Sequence, residues 1–280
     1  LNEYILRAKK FRTKKSLGQN FLISKDVIDE ILNNVSESDN ILEIGPGVGF
    51  VTEKLVQKAK KVVAVELDDD AINVLEKNLS EYKNFTLIKN DILKTDIPSL
   101  FSEEEKIKVI ANIPYYITTP ILVHLLGEID DITHKTRNKI TEIVLMVQFE
   151  VAKRIVADNN SKNKEYGLLS ILSNFFADTK IIKKVGKRCF YPSPKVDSAL
   201  VKFKINETPR VKITPNLKQT IKAAFSMRRK NIKNCLNAAG FINVVEALEN
   251  CGISPNLRGE NLSYEDFYKL SLELKRENKC

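Results

Sequence analysis

Four consecutive residues in the middle of the chain carry the most specific chemical signal. The tetrapeptide Asn112-Ile113-Pro114-Tyr115 directly follows an apolar run typical of a strand, Lys108–Ala111. The Asn side-chain oxygen and the backbone carbonyl of Ile113 can accept the two N–H groups of an exocyclic base amine, which frees the nitrogen lone pair to attack a methyl donor. Pro114 biases Ile113 towards an extended conformation, and Tyr115 offers a flat face to a base lifted from its stack. The pattern predicts methyl transfer to a nucleobase amine; a strand-ending turn with a packing tyrosine is the alternative.

A glycine-rich segment, Glu43-Ile-Gly45-Pro-Gly47-Val-Gly49, follows the first strong strand and opens a helix. Its glycines allow a tight turn and a close approach of the backbone to a ligand. Glu66 ends the next strand, 17 residues past Gly49, where a carboxylate can accept both ribose hydroxyls of an adenosine-bearing cofactor. Pro46 removes a backbone donor from the turn, which suits a cofactor without a pyrophosphate. Spacing leaves both NAD and S-adenosylmethionine open, and a structural tight turn is the alternative.

Both segments need a parallel sheet that brings the ends of its strands to one edge, where ligands bind in open α/β sheets. Strand and helix signals alternate as such a sheet requires. The predicted strands are Asn40–Ile44, Lys61–Leu67, Phe85–Ile88, Lys108–Asn112, Ile143–Phe149, Thr179–Val185 and Ser198–Ile205. The predicted helices between them are Asp68–Leu79, Thr118–Leu126 and Tyr166–Phe176. The predicted fold class is therefore α/β, with a Rossmann-like, doubly wound sheet.

The pattern changes after Ile205. Residues 206–215 carry two prolines and are typical of a linker, and only helical patterns follow. These predicted helices are Asn216–Met227, Arg229–Ala239, Val244–Asn250 and Ser263–Lys275. We expect two domains, residues 1–205 with a basic N-terminal arm (1–25), and a small all-α domain of residues 206–280.

Composition excludes several classes of protein. The chain has 280 residues, 43% of them hydrophobic and 29% charged, which excludes collagen-like, disordered and disulfide-scaffold proteins. No apolar run approaches the roughly 18 residues of a membrane span, and no apolar signal segment follows the basic N-terminus, so a cytoplasmic protein is expected. The four cysteines show no C-x-x-C spacing, so reduced thiols and no metal site are expected.

The net charge of +9 is unevenly distributed. Residues 1–25 hold seven Lys and Arg against one acidic residue, residues 26–180 hold 18 against 26, and residues 181–280 hold 20 against 9. Two basic ends thus flank an acidic middle, a distribution that favours a polyanionic partner such as nucleic acid. The alternative is an ordinary solvated, Lys-rich surface.

Together these motifs resemble the ribosomal small-subunit RNA adenine-N6,N6-dimethyltransferases, over nearly the whole chain. The resemblance extends from the cofactor loop, Val65-Glu66-Leu67 and the Asn112 tetrapeptide to five further segments. These are Lys15-Ser-Leu-Gly-Gln-Asn-Phe-Leu22, Asn90-Asp-Ile92, Met146-Val-Gln148, Phe190-Tyr-Pro-Ser-Pro-Lys-Val196 and Phe225-Ser-Met-Arg-Arg-Lys230. The family implies a class I methyltransferase domain and a basic, RNA-binding helical domain.

The resemblance also implies the ligands of individual residues. S-adenosylmethionine, without a metal, would be bound by Asn20, Leu22, Gly45, Gly47, Glu66, Leu67, Asp91, Ile92 and Asn112. Asn20 and Leu22 would reach its methionine end and Asp91 its adenine amine, although Asp91 alone could equally cap a helix. Tyr115 would stack on the target adenine and Phe190 on the opposite face, with a core phenylalanine as the alternative. RNA phosphates would be bound by Lys14, Lys15, Arg228, Arg229 and Lys230, the last three being otherwise a solvated helix end.

The implied function is dimethylation of two adjacent adenosines in a hairpin loop near the 3′ end of 16S rRNA. The partner would be the 30S subunit or its precursor, and the enzyme a cytoplasmic monomer. Two alternatives stay open: a related resistance methyltransferase acting on large-subunit rRNA, and a non-catalytic RNA-binding assembly or transcription factor. The segment before Gln19 and the run Thr118-Thr-Pro120 favour the first function over the second. Intact Glu66, Asp91 and Asn112–Tyr115 argue against the third.

Overall fold

The structure is a computed structural model that describes residues 3–11, 13–14, 18–161, 165–227 and 229–276, and of Tyr115 the backbone alone. Contacts within the chain define two units. Unit one comprises the described residues of Leu1–Leu125, Lys135–Ala152 and Asp178–Ile205. Unit two comprises those of Leu126–His134, Lys153–Ala177 and Asn206–Cys280.

The strands follow the apolar runs of the sequence. They are β1 (Phe21–Leu22), β2 (Asn40–Ile44), β3 (Lys61–Glu66), β4 (Phe85–Lys89), β5 (Ile107–Asn112), β6 (Ile140–Gln148), β7 (Ala177–Val185), β8 (Phe190–Tyr191) and β9 (Ser198–Ile205). Within the described residues, seven of them form one sheet in the order β4-β3-β2-β5-β6-β9-β7, and β1 pairs with β8 in a second. Strands β2 to β6 pair in parallel, and β9 runs antiparallel to β6. The predicted α/β class and Rossmann-like sheet are confirmed.

The register of the parallel strands brings two of the predicted site residues to one edge. Ile44 at the end of β2 lies opposite Val65 of β3 and opposite Ala111 of β5. Glu66 and Asn112 are therefore each one residue beyond the same level. The carboxyl edge of the sheet is where the connecting loops can form a ligand site.

The described helices are shorter than the sequence patterns indicated at several ends. They are α1 (Glu3–Lys10), α2 (Lys25–Leu32), α3 (Thr52–Lys58), α4 (Asp69–Leu79), α5 (Thr118–Leu126), α6 (Lys135–Lys139), α7 (Phe149–Val156), α8 (Leu168–Phe175), α9 (Leu217–Ala224), α10 (Ile232–Ala238), α11 (Val244–Asn250) and α12 (Tyr264–Glu273). Asp68 caps α4 by accepting a hydrogen bond from the backbone N–H of Asp70, and Ser263 forms a capping box with Asp266 at α12. None of the described helices is long and apolar enough to cross a membrane.

Four helices were missing from the sequence prediction: α1, α2, α6 and α7. The arm forms α1, which packs against the core of unit one: the Tyr4 ring contacts the Phe50 ring at 5.1 Å between centroids. Helix α7 begins at Phe149, the residue predicted to end the preceding strand. Apolar residues stand on both sides of Gln148 at this junction, so hydrophobicity alone could not separate the strand from the helix.

The two units divide the chain differently from the predicted boundary near residue 205. Ile205 does end the last segment of unit one, but residues 126–134 and 153–177 belong to unit two. Buried side chains of these segments, Ile129 and Phe175, join the core that Leu217, Leu236 and Phe267 form. A boundary drawn from the change to an all-helical pattern misses segments that leave the sheet and return to it.

Candidate active site

A cavity lies at the carboxyl edge of the sheet, inside unit one. Its lining combines four parts of the chain: the arm (18–22), the glycine loop with its strand end (43–48, 50 and 51), the end of β3 with the segment after β4 (65–67 and 90–92), and the segment after β5 (112–114, 116 and 117). The structure thus brings together all nine predicted cofactor residues. Only loops and strand ends contribute, as expected for a ligand site in an open α/β sheet.

The glycine loop is shaped by close packing as well as by its turn. Gly47 has φ +57°, and a Cβ atom there would lie 2.8 Å from Cε1 of Phe21. The arm can therefore lie directly on the loop only because residue 47 has no side chain. Gly45, at φ +66°, donates its backbone N–H to the carbonyl of Val65 at 3.0 Å. The loop is held against the end of β3.

The carboxylate of Glu66 accepts three hydrogen bonds from backbone donors. Oε2 accepts from the N–H of Gly47 at 3.0 Å, and Oε1 accepts from Leu67 at 2.8 Å and from Asp68 at 2.9 Å. These bonds fix the side chain and join the glycine loop to β3. A carboxylate accommodates more than three hydrogen bonds, so Glu66 can also accept from a ligand.

A second carboxyl group, that of Glu43 near the end of β2, also lines the cavity. Its residue is 3% exposed, and its Oε2 atom has no hydrogen-bond partner among the described residues. Burial raises the pKa of Glu43 to about 8; the nearby hydroxyl of Thr52 opposes this shift and the charge of Glu66 adds to it. The buried group is therefore mainly in its neutral form at pH 7.

Asn112 faces the cavity with its amide in a defined orientation. Nδ2 donates a hydrogen bond to the backbone carbonyl of Asn20 at 3.2 Å. In the described part of the chain, neither Oδ1 of Asn112 nor the carbonyl of Ile113 accepts a hydrogen bond. Both predicted acceptors are thus free, and a short turn at Tyr115–Ile117 with a bond from Ile117 N–H to the Pro114 carbonyl follows them.

The remaining cofactor candidates surround the end of β4 and of β3. Oδ1 of Asp91 caps a short turn by accepting from the N–H of Leu93 at 3.0 Å. Its other oxygen accepts no hydrogen bond within the described residues, so the capping role and the predicted ligand role are compatible. Leu67 is 54% exposed and Ile92 is buried, and both line the cavity.

Ion pairs and a hydrogen bond hold the arm beside the cavity. Lys14 forms ion pairs with Asp68 and with Asp70, and Nε2 of Gln19 donates to Oδ2 of Asp68 at 2.6 Å. Burial alone would raise the pKa of Asp68, but the bonds from Lys14, Gln19 and Asp70 hold it below its usual value. Lys14, predicted to bind RNA, therefore has protein partners here, and Lys15 lies outside the described residues.

Some predicted site residues are not brought to the cavity. Phe190 is 3% exposed, belongs to the core of unit one and lies opposite Leu22 in the pairing of β1 with β8. The stacking face predicted for Tyr115 lies outside the described atoms. Arg229 and Lys230 lie exposed in the turn before α10 of unit two, while Arg228 lies outside the described residues.

Several residues of the cavity had no assigned role in the sequence analysis, and Tyr116 and Glu43 are two of them. Tyr116 lines the cavity and is 66% exposed, and the second aromatic residue after Pro114 was the signal available for it. Glu43 was read as part of the glycine motif alone. An acidic residue inside an apolar strand that continues into a ligand loop was the signal for its burial.

Three features together define a class I, S-adenosylmethionine-dependent methyltransferase. They are the glycine loop after β2, the acidic residue at the end of β3 and the Asn112 segment at the end of β5. The chain belongs to the family described as Ribosomal RNA adenine dimethylase, which it matches over residues 10–276. The fold, the enzyme class and the family resemblance predicted from the sequence are confirmed.

Relatives and solved structures agree with this assignment. The chain is 42% identical to "Ribosomal RNA small subunit methyltransferase A" of Clostridium botulinum, covering 95% of this chain and 96% of the relative. It is 41% identical to the protein of that name from Clostridium acetobutylicum, with 95% of each covered. A dimethyladenosine transferase from Plasmodium falciparum matches with a TM-score of 0.73 and 28% identity over 89% of this chain and 95% of that one. The 23S rRNA methyltransferase ErmE, at 23% identity and a TM-score of 0.66 over 91% and 99%, shares the fold.

The side chains of the cavity fit the family's cofactor. Among the described lining residues there are three carboxyl groups, Glu43, Glu66 and Asp91, and no Lys, Arg or His. The free oxygens of Glu43 and Asp91 need donors or positive charge, and S-adenosylmethionine offers hydroxyl groups, an adenine amine, an ammonium group and a sulfonium. A cofactor rich in phosphate would meet like charge at this site.

Proposed function

We propose that the protein transfers methyl groups from S-adenosylmethionine to N6 of two adjacent adenosines near the 3′ end of 16S rRNA. The 30S subunit or its precursor would be the substrate particle, and the protein would act as a cytoplasmic monomer. One observation carries the proposal: the side-chain nitrogen of Asn112 is hydrogen-bonded to the backbone carbonyl of Asn20, which leaves its side-chain oxygen free at the cavity. The small-subunit names of relatives at 41–42% identity support this substrate over the large-subunit alternative.

The chemistry follows from two acceptors on one short segment. Oδ1 of Asn112 and the carbonyl of Ile113 would accept the two N–H groups of the adenine amine and withdraw its lone pair from the ring. S-adenosylmethionine supplies the methyl group as an electrophile. Preorganised acceptors lower the barrier because they need no reorientation during the reaction. The methylated nitrogen is positively charged until it releases one proton to solvent. One N–H then remains, so the amine must turn before the second transfer.

Cofactor contacts are assigned to the residues that the cavity collects. Glu66 would accept hydrogen bonds from the ribose hydroxyls, and the free oxygen of Asp91 would accept one from the adenine amine. Leu67 and Ile92 would contact the adenine ring. Asn20 and Leu22 would lie along the methionine end. Gly45 and Gly47 would let the loop backbone approach the ligand.

RNA contacts are assigned to the basic residues outside the cavity. Arg229 and Lys230 are exposed and form no ion pair within the described residues. Their charges are therefore available to bind RNA phosphates. Arg228 and Lys15 would join them. Lys14 would have to exchange its pairs with Asp68 and Asp70 for a phosphate, which makes it the weakest member of this set. Stacking on the target base remains assigned to Tyr115, and the burial of Phe190 speaks against an equal role for that ring.

The proposal is tested by mapping methylated nucleotides after incubating the protein with 30S particles that lack the modification. Two adjacent N6,N6-dimethyladenosines near the 3′ end of 16S rRNA are the expected product. Methylation of 23S rRNA in 50S particles instead would assign the large-subunit function. Particle binding without any methyl transfer would assign the non-catalytic function.

A further inference from the structure

Gln19 lines the cavity but has no task in the function proposed above. Both ends of its side-chain amide are bonded to the protein. Oε1 accepts a hydrogen bond from the backbone N–H of Lys14 at 2.8 Å, and Nε2 donates one to Oδ2 of Asp68 at 2.6 Å. The role of Gln19 is therefore to be sought in what these two bonds hold in place.

The acceptor of the second bond is a carboxylate that is itself fixed. The Asp68 side chain is fully buried, pairs with the ammonium of Lys14 and accepts from the backbone N–H of Asp70 at 3.2 Å. The backbone N–H of Asp68 donates to Oε1 of Glu66 at 2.9 Å. Gln19 is thus joined, through a single residue, to the acid that we assign to the ribose.

On its other side, the turn that contains Gln19 lies against the catalytic segment. The carbonyl of Asn20 accepts the hydrogen bond from Nδ2 of Asn112, and Nδ2 of Asn20 donates to the carbonyl of Gly18 at 2.9 Å. Gly18, at φ +59°, is so close to this segment that a Cβ atom there would lie 3.2 Å from Cβ of Pro114. The position of the turn therefore determines where the Asn20 carbonyl meets Asn112.

We infer that Gln19 and Asp68 are positioning residues for methyl transfer: their hydrogen bond holds the arm so that the Asn20 carbonyl keeps the side-chain oxygen of Asn112 towards the target amine. An amide can present either its oxygen or its nitrogen to the same place. Without the Asn20 carbonyl, the Asn112 nitrogen is free to face the amine, where its N–H groups oppose those of the adenine. The inference rests on the proposed function and adds two residues to it.

The bond between Gln19 and Asp68 has a direction that two substitutions can reverse. Gln19→Glu sets two carboxylates against each other. Asp68→Asn, with its oxygen kept on the Asp70 N–H, sets two NH₂ groups against each other. Made together, the two changes give an amide at position 68 that donates to a carboxylate at position 19, which still accepts from Lys14. Each single variant is therefore mismatched and the double variant is matched.

The test measures single-turnover methylation of 30S particles that lack the modification, at saturating S-adenosylmethionine and excess protein. Each single variant should be about ten- to a hundredfold slower than the parent, as expected when a reacting group is misplaced by about 1 Å. The double variant should return to within about threefold of the parent. Gln57→Glu, the same change at an exposed residue outside the cavity, should keep the parental rate. One single variant adds a charge and the other removes one, so they do not share a folding risk.

A second comparison separates positioning from a contribution to stability alone. Gln19→Glu is repeated in the Asn112→Ala protein, which has no side-chain amide left to orient. There it should slow the saturated rate by less than about twofold, because residues that act through one another are not additive. An arm that only stabilises the fold would give the same fold-change in both backgrounds. The affinity for 30S particles should stay within about twofold of the parent in the two single variants.

Three results would overturn the inference alone: a parental saturated rate in Gln19→Glu, a double variant as slow as the single ones, and an undiminished effect of Gln19→Glu in the Asn112→Ala protein. Each is a ratio to an active parent. Methylation of 23S rRNA by the parent would instead overturn only the proposed substrate, and the same ratios would be measured on 50S particles. A parent that transfers no methyl group would overturn the proposed function and this inference together.

Discussion

The side-chain nitrogen of Asn112 donates a hydrogen bond to the backbone carbonyl of Asn20, with 3.2 Å between the two atoms. A backbone carbonyl can only accept, so this bond decides which end of the amide faces the cavity. The oxygen that we assign to the adenine amine is thereby oriented by a residue of the arm, 92 positions earlier in the chain. In the proposed function the arm would therefore orient the Asn112 acceptor as well as lie along the cofactor.

Replacing Asn112 should affect chemistry more than RNA docking. Asn112→Ala removes one preorganised acceptor and should lower the single-turnover rate by on the order of 10² or more. RNA affinity should change by less than about 1 kcal/mol, because phosphate contacts elsewhere dominate it. Rapid-quench assays of both methylations on 30S particles measure the effect. Parental rates in this variant would remove Asn112 from the mechanism.

Glu66→Ala should weaken S-adenosylmethionine binding by roughly 1.5–3 kcal/mol through the loss of a charge-assisted contact. It should also destabilise the fold, because the N–H groups of Gly47, Leu67 and Asp68 lose their acceptor. Glu66→Gln, which keeps one acceptor oxygen, should fall between the parent and the alanine variant. Calorimetry and urea unfolding report the two effects separately, and unchanged affinity in the alanine variant would contradict the ribose assignment.

Gly47→Ala tests the packing of the arm on the glycine loop. The new Cβ would meet the Phe21 ring at 2.8 Å in a left-handed conformation, at a cost of about 1–3 kcal/mol. Hydrogen exchange should show weaker protection of residues 18–23. Gly186→Ala is the matched control, because Gly186 has φ −66° and no atom within 4 Å of an added Cβ. Equal stability of the two variants would be evidence against this contact.

Neutralising Arg229 and Lys230 to Gln should weaken RNA binding and leave cofactor binding intact. The slope of log affinity against log salt should decrease in magnitude by about 1 to 2, since each phosphate contact contributes roughly 0.7 to 0.9. Lys222→Gln is the matched control in the same unit, because Glu128 already offsets the charge of Lys222. A salt slope identical in all three proteins would refute the phosphate assignment.

The ligand-free protein should lose stability as the pH rises from about 4.5 to about 8. In this window the unfolded chain has released the proton of Glu43 and the folded chain still holds it, so each pH unit lowers the free energy of unfolding by on the order of 1 kcal/mol. Above this window the term is constant. Glu43→Gln lacks the slope and should be the more stable protein at pH 8. Urea titrations at several pH values give both curves, which should diverge; parallel curves would contradict the buried neutral acid.

Local patterns predicted many residues of the cavity lining, because Gly45, Glu66 and Asn112 lie at or just beyond the ends of strands whose apolar runs are visible in the sequence. Strand β1, which carries Leu22, was not predicted. Residues 40–44 and 61–66 needed no tertiary information. The partners of Lys14 could not be predicted, because Asp68 and Asp70 are more than 50 residues away and nothing local marks the pairing. The burial of Phe190 likewise depends on its pairing with Leu22. The helical patterns after Ile205 predicted a helical C-terminal region, but they could not show which earlier segments share the core of that region.

The pairing of β1 with β8 can form only late in the synthesis of the chain. Phe21 leaves the ribosome long before its partner Tyr191, which lies 170 positions later in the chain, and translating this stretch takes about ten to thirty seconds. Until then β1, which lines the cavity, has no strand beside it. A nascent chain therefore carries its glycine loop well before the arm can close over that loop. The complete site is assembled only after the sheet strands β2 to β7 have been translated.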